Sequence, residues 1–146
     1  MIKQLVVLIL IYLSVTSCDQ QKNNTMNIDD VKLFQEVIPY PYTASEKRRK
    51  VILNTMNALK KGMSKKQVIE LLTAPDEANL RYKWIKTKSK DNVSGFSFVY
   101  ILKRDKEKGS EIEKAEQLIR IHFDTLGKLI WAFGHNIENF KNVERE

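Results

Sequence analysis

The chain has 146 residues, of which 42% are hydrophobic and 29% charged, a balance typical of one globular domain with a modest core. A single cysteine excludes an internal disulfide and any cysteine-rich zinc site, and two histidines leave little material for a metal centre. Lysine and arginine outnumber aspartate and glutamate by 25 to 18, so the net charge is +7 and the surface is expected to attract anionic partners.

Residues 1–17 have the form of an export signal. Lys3 supplies a positive charge, and residues 5–13 form an apolar run shorter than the roughly 20 residues that a membrane-spanning helix needs. The next four residues, Val-Thr-Ser-Cys at 15–18, resemble the bacterial lipobox, in which an aliphatic residue and two small ones precede a cysteine that receives diacylglycerol. We therefore predict that Cys18 is the lipidated N-terminus of the mature protein and anchors it to a bilayer.

This anchor predicts a protein of the cell envelope of a Gram-negative-type bacterium. The outer membrane, facing the periplasm, is the expected location, and Asp19 leaves the inner membrane as the alternative because aspartate after the lipidated cysteine disfavours transfer in some enterobacteria. Nucleic acid is not an expected partner outside the cytoplasm. The positive charge instead suggests lipid headgroups or an acidic protein surface, or simply a well-solvated surface.

Residues 18–42 are predicted to be the lipidated N-terminus and its tether. Residues 19–27 are polar and have no hydrophobic pattern. After Asn27, a possible N-cap, apolar side chains at helical spacing predict a short helix that ends before Pro39: Val31, Phe34 and Ile38. The Pro-Tyr-Pro-Tyr segment at 39–42 should be extended, because proline pushes the preceding residue out of the helical region.

Two short helices open the predicted domain, which covers residues 43–135. Residues 43–46 form a capping box, Thr-Ala-Ser-Glu, and Gly62 fits the left-handed position that closes the first helix. A second capping box at 64–67 starts another helix, which Pro75 ends. The two apolar stripes consist of Ile52, Met56 and Leu59, and of Val68, Leu71 and Leu72.

Beyond Pro75 the hydrophobic period changes from 3.6 to 2, which predicts strands. Residues 80–86 and 95–103 alternate, and residues 119–133 form a hairpin with a turn from Asp124 to Gly127. Residues 104–117 are dominated by charge and predict a solvated excursion between strands. The tail at 136–146 is polar and is expected to be frayed, although Ile137 and Phe140 could dock on the domain.

These elements predict an α+β fold in which two short N-terminal helices pack on one face of an antiparallel sheet of three to four strands. The face toward the helices should be aromatic: Tyr82, Trp84, Phe96, Phe98 and Tyr100. The other face is expected to be free, and it supplies the candidate partner-binding residues, Ile85, Val99, Ile101 and Arg120. Trp131 and Phe133 fit either the core or an interface.

Residues 59–84 and 120–133 resemble the SmpA/OmlA, or BamE-like, family of bacterial lipoprotein domains. The similarity spans roughly residues 55–133 and rests on Gly62, Met63, Val68, Leu72, Pro75, Trp84, Phe123, Asp124 and Gly127. Thr73 stands where the family has glycine, which predicts a different backbone geometry at that helix end. The resemblance implies a small, non-enzymatic, periplasm-facing lipoprotein that binds other proteins, such as barrel-assembly subunits, or supports the envelope.

We therefore expect a non-catalytic protein-binding or scaffolding module, without cofactor or metal, that acts in outer-membrane protein assembly or envelope integrity. His122 and His135 lack a serine or cysteine nucleophile in a recognisable motif, so we do not expect an enzyme. Related folds include modules that inhibit β-lactamase. The alternative is thus an inhibitor that blocks an enzyme through its sheet face, and an enzyme with an unrecognised site comes third.

Overall fold

The structure is a computed structural model that describes residues 41–83, 86, 92–105 and 116–144. The predicted signal, Cys18, the predicted tether up to residue 40 with its predicted short helix, Trp84, Ile85 and most of the charged excursion lie outside these residues. The described part is α+β, with two helices and a five-stranded antiparallel sheet. Its elements are β1 (Tyr42–Thr43), α1 (Glu46–Thr55), a 3-10 turn (Met56–Ala58), α2 (Lys65–Leu72), β2 (Glu77–Tyr82), β3 (Val93–Arg104), β4 (Gln117–Phe123) and β5 (Leu129–His135).

Helix α1 begins at a different cap from the predicted one. Ser45 is the N-cap, and its Oγ accepts a hydrogen bond from the Arg48 main-chain N–H at 3.3 Å. The prediction of a capping box led by Thr43 is wrong because Thr43 pairs with Lys103 in the sheet. This two-residue pairing also adds the strand β1 to the three or four strands expected.

The corner between the helices differs from the prediction at its start: α1 ends at Thr55 and the 3-10 turn Met56–Ala58 follows, so Gly62 does not close the helix. The left-handed conformation predicted for Gly62 is confirmed. Gly62 adopts φ +84°, and its N–H donates to the Leu129 carbonyl at 2.8 Å, which ties the corner to β5. Ser64 and Gln67 form the predicted capping box, in which the Ser64 Oγ accepts from the Gln67 N–H and the Gln67 side chain accepts from the Ser64 N–H.

The end of α2 keeps a glycine-like backbone at Thr73, which has φ +78° and ψ −175°. The prediction that threonine forces another geometry here is wrong. Side chains on neighbouring elements hold this conformation, which is costly for a β-branched residue. The Arg48 guanidinium donates to the Thr73 Oγ1 at 2.7 Å, and the Tyr100 hydroxyl donates to the Thr73 carbonyl at 3.1 Å.

Strand β3 organises the sheet. β4 pairs along one edge of it and β5 pairs with β4, whereas β1 and β2 lie end to end on the other edge. β1 pairs with the C-terminal end of β3 and β2 with the stretch from Val93 to Val99. Irregularities interrupt the register between Ile101 and Lys103 and between His122 and Phe123.

The core lies between the helices and one sheet face, here called the inner face. Phe96, Phe98 and Tyr100 point toward the helices, as predicted, and pack with apolar side chains from both helices. Phe96 stacks on Phe123 with ring centroids 4.7 Å apart, and Phe98 meets Phe123 edge-on at 4.9 Å. Such aromatic pairs add about 0.5–1.5 kcal/mol to the stabilisation from buried area.

The tail after β5 folds back onto the domain. Ile137 and Phe140 pack against the core, and Val143 packs there as well. The docking left open for Ile137 and Phe140 is therefore confirmed, and the expectation of a frayed tail is wrong up to Val143. Val143 and Ala132 exchange two main-chain hydrogen bonds of 2.9 and 3.0 Å. At Ala132 this pairing therefore occupies the edge of β5 that does not pair with β4.

Candidate functional site

The candidate site is the sheet face opposite the helices, here called the outer face. The register aligns side chains from three strands into rows across it. One row contains Ser97, His122 and Trp131, the next Val99, Arg120 and Phe133, and the third Ile101, Leu118 and His135. The face thus runs from aliphatic side chains on β3 to aromatic ones on β5.

Three rings on β4 and β5 form an aromatic stack, which we define as His122, Trp131 and Phe133. The His122 and Trp131 rings lie 3.9 Å apart at an interplanar angle of 5°, and the Trp131 and Phe133 rings 5.2 Å apart at 18°. His122 is buried, whereas Trp131 and Phe133 keep part of their surface exposed. The buried indole N–H of Trp131 has no hydrogen-bond acceptor among the described residues.

The stack faces outward because of the irregularity between His122 and Phe123. His122 pairs with Trp131 but Phe123 pairs with Leu129, so β5 carries one extra residue at this point. As a result Leu129 and Ala132 enter the core, and Trp131 and Phe133 lie on the outer face. Of the two places that the sequence left open for Trp131 and Phe133, the structure therefore selects the face away from the helices.

Arg120 stands beside the stack. It pairs across the sheet with Phe133 on one side and Val99 on the other, and its side chain is half-buried. Its Nε is buried and has no acceptor within the described part of the chain. A cation next to partly exposed rings suits a partner that offers carboxylates together with apolar side chains.

The aliphatic end of the outer face is not free. Val99 and Ile101 are completely buried and pack with Leu118 and Tyr42. The expectation of a free face is therefore wrong at Val99 and Ile101, although the alternation placed both on the predicted side of the sheet. Ile85 lies outside the described residues, and the role of Arg120 in binding a partner stays a prediction.

A buried ion-pair network borders this aliphatic end. Arg104 is completely buried, with Nη1 against the Glu77 carboxylate and Nε against the Glu116 carboxylate. The prediction of a solvated excursion over residues 104–117 is thus wrong at its two ends, because Arg104 and Gln117 belong to strands and Glu116 is buried. The burial of Arg104 and Glu116 could not be predicted from a charged segment, because the residues that surround them are distant in sequence.

A second polar cluster surrounds Asp76 on the β1 side of the sheet. Its carboxylate accepts from the Arg48 guanidinium at 2.9 Å, from the Ile101 N–H at 2.6 Å and from the Tyr42 hydroxyl at 3.4 Å. Burial raises the pKa of Tyr100, and burial together with the Asp76 carboxylate raises the pKa of Tyr42. Neutral phenols that donate hydrogen bonds are suited to positioning rather than to proton transfer at neutral pH.

A polar cavity of about 360 Å³ opens between α1, β4 and the C-terminal segment. Within the described ranges, no group of three or more histidine, cysteine or acidic side chains is placed to hold a metal ion. The cavity is lined by Arg49, Leu53, Gln117, Asn136, Ile137, Glu138 and Asn139.

No protein-family model, no curated protein and no solved structure matches the chain. Of the helices in the described ranges, none has the length and hydrophobicity required to cross a bilayer. The candidate site therefore rests on the geometry of the outer face itself. Sequence reasoning named Arg120 as a partner-binding candidate and considered Trp131 and Phe133 as possible interface residues. It missed the roles of Arg104 and Asp76, for which the only signal was a charge within or beside an apolar strand.

Proposed function

We propose that this protein is a membrane-anchored lipoprotein of the bacterial envelope whose α+β domain is a non-catalytic protein-binding or scaffolding module. The observation that carries the binding role is the aromatic stack beside Arg120. Tryptophan, tyrosine and arginine dominate the energetic centres of protein interfaces, where large rigid rings bury area at a low cost in entropy. Two hydrogen-bonded strands hold these side chains in fixed positions, so little ordering is needed upon binding.

The lipobox-like motif at Cys18 supports the anchoring role. Residues 19–41 separate it from β1, and these 23 residues extend to at most roughly 80 Å. A tether of that reach lets the domain meet a partner within the periplasm while the lipid stays in its membrane. The resemblance of the motifs in residues 59–84 and 120–133 to BamE-like domains is the reason for proposing the outer membrane as the location and barrel-assembly subunits as the partner.

The binding role is tested by crosslinking in the native envelope followed by affinity measurement with the captured partner. Trp131→Ala should weaken binding more than about tenfold, because truncating a central aromatic anchor removes a large part of the binding energy. Leu126→Ala is the matched control, since Leu126 is an apolar residue that is 63% exposed in the β4–β5 turn. Equal affinities for both variants would exclude the outer face as the binding site.

The identity of the partner separates the two forms of the proposal. Crosslinks to barrel-assembly subunits support the scaffold. A single hydrolase as the main crosslinked protein, with activity that falls upon binding, supports the alternative in which the domain is an inhibitor.

The anchoring role is tested with Cys18→Ser. We expect this variant to lose the acyl mass at the mature N-terminus and to leave the membrane fraction, because acyl chains contribute about 0.8 kcal/mol per buried methylene. Unchanged processing and unchanged membrane fractionation of Cys18→Ser would contradict the anchor. That result would leave the test of the outer face unaffected.

A further inference from the structure

The polar cavity between α1, β4 and the C-terminal segment has walls that are held by hydrogen bonds. The side chain of Asn57, in the 3-10 turn, donates to the Asn139 carbonyl at 2.9 Å and accepts from the Lys141 N–H at 2.8 Å. On the β4 side, the Asn136 side chain donates to the Glu116 carbonyl at 2.9 Å. A small molecule that enters this cavity therefore meets a preformed site and loses little affinity to ordering it.

The C-terminal wall of the cavity also has an unusual backbone conformation. Asn136 has φ +51° and Asn139 has φ +60°, and among the other non-glycine residues in the described ranges only Thr73 has a positive φ. Asparagine enters the left-handed region more easily than most residues, but still at some cost. Because such costs are concentrated at functional sites, their position around one cavity favours a binding role for it.

The cavity is lined by a cation and an anion that do not neutralise each other. Arg49 is half-buried, and its side chain makes one hydrogen bond within the described part of the chain, from Nη1 to the Gln117 Oε1 at 2.9 Å. Glu138 forms no ion pair or side-chain hydrogen bond with any described residue. The remaining guanidinium donors and the Gln117 amide N–H groups suit a carboxylate, whereas Glu138 suits an ammonium group.

We propose that this cavity binds a free α-amino acid with an apolar side chain. The carboxylate of the ligand accepts from Arg49, and its ammonium group donates to Glu138. Both groups are attached to one carbon atom, so a single small molecule supplies the counter-charge for both residues. The apolar side chain contacts Leu53 and Ile137, which line the same cavity and pack against the core. The volume of about 360 Å³ is at the lower end of the range for ligand sites, which favours one amino acid over a longer peptide.

This site is separate from the proposed partner-binding site. Arg49 and Leu53 belong to α1, which packs on the inner face, whereas Trp131 lies on the outer face. Trp131→Ala should therefore bind the amino acid as the unaltered protein does. Loss of partner binding in that variant and loss of amino-acid binding in the variants below are independent results.

The test is saturation-transfer NMR of the protein in detergent micelles, with racemic leucine as the probe. We expect saturation transfer to leucine and shifts in the side-chain amide resonances of Gln117 and Asn139. Two analogues lack one charge each: 4-methylpentanoate has no ammonium group, and 3-methylbutylamine has no carboxylate. Each should bind at least about tenfold more weakly than leucine, because a charge-assisted hydrogen bond is lost. Absence of transfer to leucine, or equal affinity for all three compounds, would overturn the proposal.

Two substitutions assign the charges of the ligand to the residues. Glu138→Gln should weaken leucine binding about tenfold and leave 4-methylpentanoate binding unchanged, because this analogue has no ammonium group. Glu144→Gln, which changes an exposed carboxylate in the same C-terminal segment, is its control. Arg49→Met should weaken the binding of leucine and 4-methylpentanoate but not of 3-methylbutylamine, with Lys50→Met as its control.

The first pair of variants decides the outcome even where Arg49→Met disturbs the fold. Glu138 is exposed and has no described hydrogen bond, so its substitution leaves the packing intact. Equal leucine affinities for Glu138→Gln and Glu144→Gln would show that the cavity does not bind an amino acid in this way.

Discussion

Substitution of Arg104 by methionine tests the energetic role of the buried charges on the outer face. The side chain of Arg104 is 1% exposed, and the carboxylates that it contacts, Glu77 and Glu116, are 16% and 8% exposed. Methionine fills much of the same volume with apolar atoms. The variant therefore removes the cation, largely preserves the packing, and leaves two carboxylates without their shared partner.

The expected cost follows from this burial. Removal of one member of a buried ion pair costs about 3–5 kcal/mol, because the remaining charge is left uncompensated. Glu77 can recover some hydration because it is the more exposed of the two carboxylates. We therefore expect a loss of about 3–4 kcal/mol in the free energy of unfolding, which is more than a hundredfold in the folding equilibrium.

Urea denaturation followed by circular dichroism measures this loss. Lys66→Met is the matched control, because Lys66 pairs with Glu70 at side-chain exposures of 83% and 63% and should cost no more than about 0.5 kcal/mol. Adding Glu77→Gln and Glu116→Gln to Arg104→Met should restore most of the stability, since it removes the unpaired charges. An Arg104→Met variant as stable as Lys66→Met would refute the reasoning.

Two other predictions concern the inner face and the backbone. Gly95→Ala should lower the free energy of unfolding, measured by thermal denaturation, by about 2–5 kcal/mol, because its φ is +136° and the new Cβ would lie 2.0 Å from a carbonyl oxygen of β4. Gly62→Ala is the control: its φ is also positive but the space around it is open, so it should cost only about 1–2 kcal/mol. Equal costs for the two variants would contradict the steric argument. Tyr100→Phe should lower the free energy of unfolding by about 0.5–1.5 kcal/mol at pH 7, because the hydrogen bond to the Thr73 carbonyl is lost. Above pH 10, however, the stability of this variant should fall less steeply than that of the unaltered protein. The raised pKa of Tyr100 keeps the folded phenol neutral where the unfolded one ionises, so this part of the stability is present below pH 10 and falls as the pH rises. Parallel alkaline curves for Tyr100→Phe and the unaltered protein would contradict that assignment.

The inner half of the fold was predictable from sequence because its periodicity is regular. Phe96, Phe98 and Tyr100 alternate without interruption, and they face the helices as expected. The capping box at Ser64 and the turn at Asp124, whose carboxylate accepts from the Leu126 and Lys128 N–H groups at 2.9 and 2.8 Å, depend on local residues only. Local chemistry and an unbroken period were sufficient for these elements.

The outer half was less predictable because its geometry depends on contacts between distant residues. A bulge adds one residue to a strand without changing its composition, so the outward direction of Trp131 had no sequence signal. The burial of Arg104 depends on Glu77 in β2 and on Glu116, the residue before β4, and both are distant from it in sequence. Alternation placed Val99 on the correct face, but it gives no information on what lies above that face.

Strand β1 shows how such distant contacts make a two-residue strand possible. On the edge of β3, β1 pairs with Lys103 and Arg104 and β2 pairs up to Val99, so the N–H of Ile101 falls in the gap between them. The Asp76 carboxylate fills this gap by accepting from the Ile101 N–H at 2.6 Å, and the Asp76 N–H donates to the Val99 carbonyl at 2.9 Å. The same carboxylate also accepts hydrogen bonds from the Tyr42 hydroxyl and from the guanidinium of Arg48 on α1. A pull on the chain before Tyr42 would therefore be resisted by β1, β3 and α1 together, because one side chain completes the hydrogen bonding that two strand residues alone would leave open.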